Sequence, residues 1–158
     1  MSESVAEDLR AHAFLAGLPE GTVDIIAGCA RWATFDTGQL LLREGEPADT
    51  LHLVHRGRVV IEMHQPGDGG LSIETVGAGH VVGISWVSPP YRWQFDARAL
   101  EPVTTMAVDV GQLRAELGRR PALGFALLDR LASVLAERLQ STRIRVLDLH
   151  RLDDDRPR

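Results

Sequence analysis

The chain has 158 residues, 44% hydrophobic and 25% charged, with a formal net charge of −5. That length fits one domain, and the composition excludes collagen-like, disordered and disulfide-rich chains. The acidic balance also argues against sequence-independent nucleic-acid binding, which depends on cations that displace counterions from phosphates. All 17 basic residues are arginine, and both lysine and asparagine are absent. No Schiff-base or P-loop lysine can operate here, and a charged side chain that meets phosphate must be arginine. Cys29 stands alone, so an internal disulfide is excluded and a reducing cytoplasm is the expected compartment. No basic stretch followed by an apolar run opens the chain, so no secretory signal is read. The most apolar helical stretch, 123–139, carries Asp129, Arg130, Glu137 and Arg138. No membrane span is expected from it.

Taken in order, residues 5–30 have helical spacing. Leu9, Ala13, Phe14 and Gly17 predict a short amphipathic helix that breaks at Gly17-Leu18-Pro19. A second starts near Pro19 and places Val23, Ile26 and Ala27 on one face. From residue 31 to 110 the period changes. Gly38, Gly45, Gly57, Gly67, Gly77 and Gly83 separate strand-like runs at 39–43, 50–55, 58–63, 71–76, 80–82, 95–99 and 104–108. Short strands at such spacing predict an all-β sandwich or barrel. Pro66-Gly67-Asp68-Gly69-Gly70 reads as a hairpin connection.

Helical spacing returns at residue 110. Residues 110–117 predict a short helix closed by Gly118 as a left-handed cap. Pro121 opens a long helix to about His150 with the stripe Leu128, Leu131, Leu135, Leu139, Thr142, Val146, Leu149. Leu123, Leu127 and Leu131 are expected to pack on the β region. The stripe beyond Leu135 has no evident partner within the chain. It predicts a homodimer through Leu135, Leu139, Thr142, Val146 and Leu149, with Arg138, Arg143 and Arg145 among the flanking charges. The expected layout is one domain over 1–150, with N-terminal helices at 1–30, a β roll at 31–110 and C-terminal helices at 111–150. Residues 151–158 are expected to be a disordered tail.

A helix pair, a glycine-punctuated β roll and a long striped helix resemble the layout of the cyclic-nucleotide-binding domain family. Phe35-Asp36-Thr37-Gly38-Gln39, followed by Leu42-Arg43-Glu44-Gly45-Glu46-Pro47-Ala48-Asp49, looks like that family's first turn signature. The run from Leu51 to Val59 is similar to its next strand, turn and strand. Gly77-Ala78-Gly79-His80-Val81-Val82-Gly83 is similar to the entry into its phosphate-binding cassette. The resemblance covers residues 12–146. It implies a mainly β fold with flanking helices: a double-stranded β-helix, jelly-roll-like, with N-terminal helices and a long C-terminal helix. Independently of the family, Asp49 is expected to bond nearby amides and hold its turn.

In that family the amides of a short helix after the Gly83 position bind a cyclic phosphate, as orphan helix N–H groups can. A glutamate after that glycine takes the ribose hydroxyl, and an arginine further on pairs with the phosphate. Here the resemblance assigns Gly83, Ile84, Ser85, Trp86, Arg92 and Trp93 to the ligand site. Ile84 stands at the glutamate position, and Arg92 is the match for the phosphate arginine. Arg98 matches a later, structural arginine. Loss of a charged hydrogen bond of about 1.5–3 kcal/mol lowers affinity roughly ten- to a hundredfold. Pro89 and Pro90 remove two more amide donors. Trp86, Tyr91, Trp93 and Phe95 crowd the same stretch, suited either to stacking on a planar ligand or to filling the pocket.

His52 and His55 have odd spacing and so face opposite sides of a strand, and no histidine spacing predicts a metal site. No serine lies in a nucleophile elbow and no aspartate pairing suggests acid–base work, so an enzyme is not expected. The family's transcription factors carry a helix-turn-helix after the long helix. No recognition helix is read here, so direct DNA binding is not expected. The expected function is a non-catalytic sensor or regulatory subunit that acts through a protein partner, with a cyclic nucleotide or another phosphate-bearing ligand. The alternative is a ligand-free dimerisation module docking on a multisubunit enzyme such as an oxidoreductase. A third is a transcription-regulator relative lacking its DNA-binding domain.

Overall fold

The structure is a computed structural model that describes residues 2–65 and 67–154. Helix α1 spans Ser2–Ala11, a single 3₁₀ turn covers Ala13–Leu15, and α2 spans Glu20–Cys29 with Pro19 as its N-cap. Leu9, Phe14, Leu15, Val23, Ile25 and Ile26 all enter the core from this region, while Ala27 is only half-buried.

Eight strands follow: β1 Ala30–Phe35, β2 Leu40–Leu42, β3 Thr50–Arg56, β4 Val59–Gln65, β5 Asp68–Val76, β6 Val81–Val82, β7 Asp96–Ala99 and β8 Val103–Asp109. They form two four-stranded antiparallel sheets, ordered β1-β8-β3-β6 and β2-β7-β4-β5. The jelly-roll-like β roll expected from the sequence is therefore present. Strand β1 was not among the expected runs, because α2 passes into it at Ala30 with no turn residue between them. The hairpin is tighter than expected: Asp68 already pairs with Gln65, so Asp68–Gly70 belong to β5. Gly57 joins β3 to β4 at φ +91°, where a Cβ would collide with the Pro102 carbonyl oxygen. Only glycine suits that turn. Asp49 accepts from the Thr50 hydroxyl at 3.1 Å rather than from an amide.

Helix α3 spans Val110–Arg119, capped by Asp109, whose carboxylate accepts from the Gln112 amide at 2.9 Å. Gly118 lies inside this helix without a positive φ, so it is not the left-handed cap expected; Arg120 closes the helix instead. Helix α4 spans Pro121–Asp154, 34 residues, or about 50 Å at 1.5 Å per residue. It runs past the expected end near His150, so residues 151–154 are helical rather than a disordered tail. Residues 155–158 lie outside the described residues. Gly124, Leu127 and Leu131 are buried against the domain, and Leu123 is half-buried. Leu135, Leu139, Val146 and Leu149 are 45%, 53%, 50% and 63% exposed, and Thr142 is exposed as well. The stripe thus splits near Leu131, and its distal part has no cover among the described residues. No helix among the described residues is long and apolar enough to cross a membrane.

His52 is buried on β3, bonded through Nδ1 to the Thr105 hydroxyl at 2.9 Å and edge-on to Phe35. His55 projects to the other side and is exposed, edge-on to Trp32. Burial pushes the His52 pKa down from 6.5 to about 4. The unfolded chain therefore binds a proton that the fold does not, and stability falls as pH drops from about 6.5 through about 4. The loss at the acid end is about 3 kcal/mol from this group. His12 adds to it with the same sign, since its ring is also buried and its pKa lowered. Urea midpoints measured between about pH 7 and pH 4.5 should fall in the parent and much less in His52→Gln. An equal fall in both proteins would assign the acid sensitivity to other groups.

Candidate functional site

The cassette begins at Gly83, φ +96°, directly after β6. Ile84 caps a single 3₁₀ turn, Ser85–Val87, in which the Val87 amide donates to the Ile84 carbonyl at 3.1 Å. A cis Pro89-Pro90 bond and Tyr91 at φ +57° then turn the chain back. The returning segment pairs with the turn at 45–48. Trp93 N donates to Glu46 O at 3.0 Å, Gly45 N to Trp93 O at 2.9 Å, and Ala48 N to Tyr91 O at 2.8 Å.

This ladder aims Trp93 inward. Its indole is 3% exposed and lies directly on Gly83: a Cβ there would be 2.9 Å from the ring and 2.9 Å from the Thr50 carbonyl oxygen. Ile84 and Trp86 are buried beside it at 5% and 3% exposure. The fold therefore gathers Gly83, Ile84, Trp86 and Trp93 into its core, with Ser85 half-buried at the edge. Arg92 is not gathered with them. It stays exposed, and its Nη1 donates to the Gly45 carbonyl at 2.8 Å, bracing the opposite turn. Arg98 spans β7, β4 and the Gly38 turn, with Nε 3.5 Å from Glu62 and Nη1 donating to Gly38 O at 2.8 Å.

A cavity of about 480 Å³ lies between the roll and α4, lined among others by Glu74, His80, Arg130, Ser133, Glu137 and Arg138. Arg130 Nη1 donates to the Phe14 carbonyl at 2.8 Å. Arg138 donates to the Val81 carbonyl, and its Nε is 4.0 Å from Glu74. Burial lowers the Arg138 pKa from its ordinary value, with Glu74 opposing that shift. Arg145 donates to the Ile73 carbonyl. Arg138 and Arg145, expected as flanking charges of a helix–helix seam, thus tie α4 to its own roll. Sequence spacing did not reveal this cavity, because Glu74 and Arg138 meet only through the tertiary fold. On the outer face of the second sheet, His64 Nδ1 is 3.3 Å from the buried Asp96 and 3.5 Å from Glu44. No group of His, Cys, Asp and Glu among the described residues is arranged to hold a metal.

Comparison with known proteins agrees with this geometry. The family model for the cyclic nucleotide-binding domain matches residues 32–120. A CRP-like cAMP-activated global transcriptional regulator of Mycobacterium tuberculosis is 29% identical over 116 residues, 73% of this chain and 50% of that protein. The chain thus spans half the length of the curated relative it matches. Among solved structures, a Geobacter metallireducens GS-15 protein of cyclic nucleotide-binding type superposes with TM-score 0.75 at 28% identity, covering 84% of this chain and 96% of that one. A cyclic nucleotide-binding domain from Methylobacillus flagellatus KT shares the fold at TM-score 0.77 and 24% identity, covering 93% and 83%. With the β roll, the glycine-led cassette and the long C-terminal helix all in place, the chain belongs to the cyclic nucleotide-binding domain family.

Proposed function

We propose that this chain is a non-catalytic regulatory domain whose cassette has been closed to cyclic phosphates and whose output runs through α4. The observation that carries the reading is the Trp93 indole packed on Gly83, the place where the family resemblance puts the ligand phosphate. Ile84 adds to it, since a buried aliphatic chain offers no acceptor to a ribose hydroxyl and burying that hydroxyl unpaired is costly. Arg92 is turned to the Gly45 carbonyl instead of a ligand. Space for a different ligand remains in the cavity between the roll and α4, where Arg130 and Arg138 are balanced by Glu74 and Glu137. On the output side, the exposed distal stripe of α4 supports a homodimer that presents a surface to a protein partner. A ligand-free module docking on a multisubunit enzyme is the second reading, favoured by the same filled cradle.

Calorimetry against cyclic AMP and cyclic GMP tests the proposal. The expected result is no sub-micromolar binding by the unmodified chain. Tight binding of either nucleotide to it would overturn the reading, whatever its dimeric state.

A further inference from the structure

A second concavity shares no lining residue with the cavity between the roll and α4. It is a groove of about 440 Å³ where the cassette turn meets α3 and α4, with Trp86, Leu117, Pro121, Phe125 and Leu128 among its walls. Phe125 is 73% exposed and Leu128 48%, so the groove opens onto an apolar rim. Arg114 is the one charged residue that lines it. The guanidinium carbon of Arg114 lies 4.5 Å from the Tyr91 ring centre and 5.6 Å from that of Trp86. Stacking engages the flat face of a guanidinium and leaves its in-plane N–H donors free. The Arg114 side chain makes no ion pair and no hydrogen bond among the described residues. The tyrosine beneath it sits in the left-handed region at φ +57°, an uncommon backbone for a bulky residue, with its backbone N–H donating to Ser88 O at 3.0 Å. Finally, Trp86 Nε1 is buried with no hydrogen-bond partner. A buried donor normally has one, and the chain itself supplies none to this indole.

We propose that this groove binds a small carboxylate with an apolar body, an aliphatic or aromatic acid. The carboxylate meets the in-plane donors of Arg114, the charge-assisted pairing that guanidinium geometry favours. The apolar body lies along Leu117, Phe125 and Leu128, against the Trp86 ring. The assignment is independent of the cassette reading, since neither Trp93 nor Gly83 lines the groove.

Octanoate is the probe, with octanamide as its uncharged counterpart, followed by calorimetry and by the indole N–H resonances of the three tryptophans. Trp86→Phe identifies the Trp86 resonance. Millimolar octanoate is expected to shift that resonance, and octanamide to bind at least tenfold more weakly. Arg114 is exposed, so Arg114→Gln should fold normally while octanoate binding falls roughly ten- to a hundredfold. Gly118 lines the groove and a Cβ there meets nothing within 4 Å. Gly118→Leu is therefore expected to fill the groove and abolish binding in a folded protein. An unmoved Trp86 resonance, equal affinity for acid and amide, or an Arg114→Gln variant that binds octanoate as the parent does would each overturn the proposal.

Discussion

Trp93→Ala is expected to destabilise the domain by about 3–5 kcal/mol, the range for truncating a buried aromatic to alanine. At this chain length that lowers the melting temperature by roughly 10 °C. The magnitude follows from where the ring lies: it is 3% exposed and in contact range of Gly83, so its removal leaves a void that the surrounding β roll closes only in part. On the proposed reading, the same void is the space a cyclic phosphate would take. Trp93→Ala alone still lacks the ribose acceptor, so cyclic AMP binding should stay weak. On that reading Trp93→Ala with Ile84→Glu supplies both the space and the acceptor, and should bind cyclic AMP measurably below the variant's lowered melting temperature. Calorimetric unfolding and nucleotide titration of the parent, both singles and the double check this. A cost below about 1 kcal/mol would show that the indole is not packed as described.

Leu139→Glu with Val146→Glu is expected to convert a dimer into monomers in light scattering while the β roll itself stays folded. The two side chains are 53% and 50% exposed in the single chain, so neither holds the β roll together. In a parallel or antiparallel helix pair both would be covered, and a buried leucine or valine contributes about 1.5–3 kcal/mol. The substitution removes that from each protomer and adds unpaired carboxylates to the seam. Seam spacing supports the pairing: Leu135, Leu139, Thr142, Val146 and Leu149 alternate steps of four and three. The roll-facing flank of α4 is already engaged, through Arg138 on Val81 and Arg145 on Ile73. That leaves the exposed stripe as the face for a second copy. A double variant that still scatters as a dimer would place the interface elsewhere.

Much of this architecture was legible because its determinants are local. Glycines at 38, 45, 57, 67 and 83 all adopt positive φ, and their spacing marks the turns between strands before any contact is known. The three–four spacing of leucines from Pro121 onward likewise marks α4 and its unpartnered distal face. Nothing in the residues of β1 separates it from α2; its partner β8, 68 to 78 positions on, makes it a strand. Gly118 looked like a cap because a glycine after a helical run usually is one. Here the helix continues to Arg119 and uses Arg120 to close. The aromatic crowding of the cassette was visible, but two outcomes were compatible with it. Only the tertiary structure decided that Trp93 turns inward while Tyr91 and Arg92 turn outward, because the ladder between 91–93 and 45–48 sets which of their side chains face the core; Trp86 is buried from the separate turn at Ser85–Val87. The arginines show the same division. Sequence alone determined that every permanent side-chain cation of this chain is a guanidinium; long-range packing determined that Arg138 is used on a backbone carbonyl and Glu74, whereas Arg114, stacked on Tyr91 and Trp86, keeps its N–H donors unfilled.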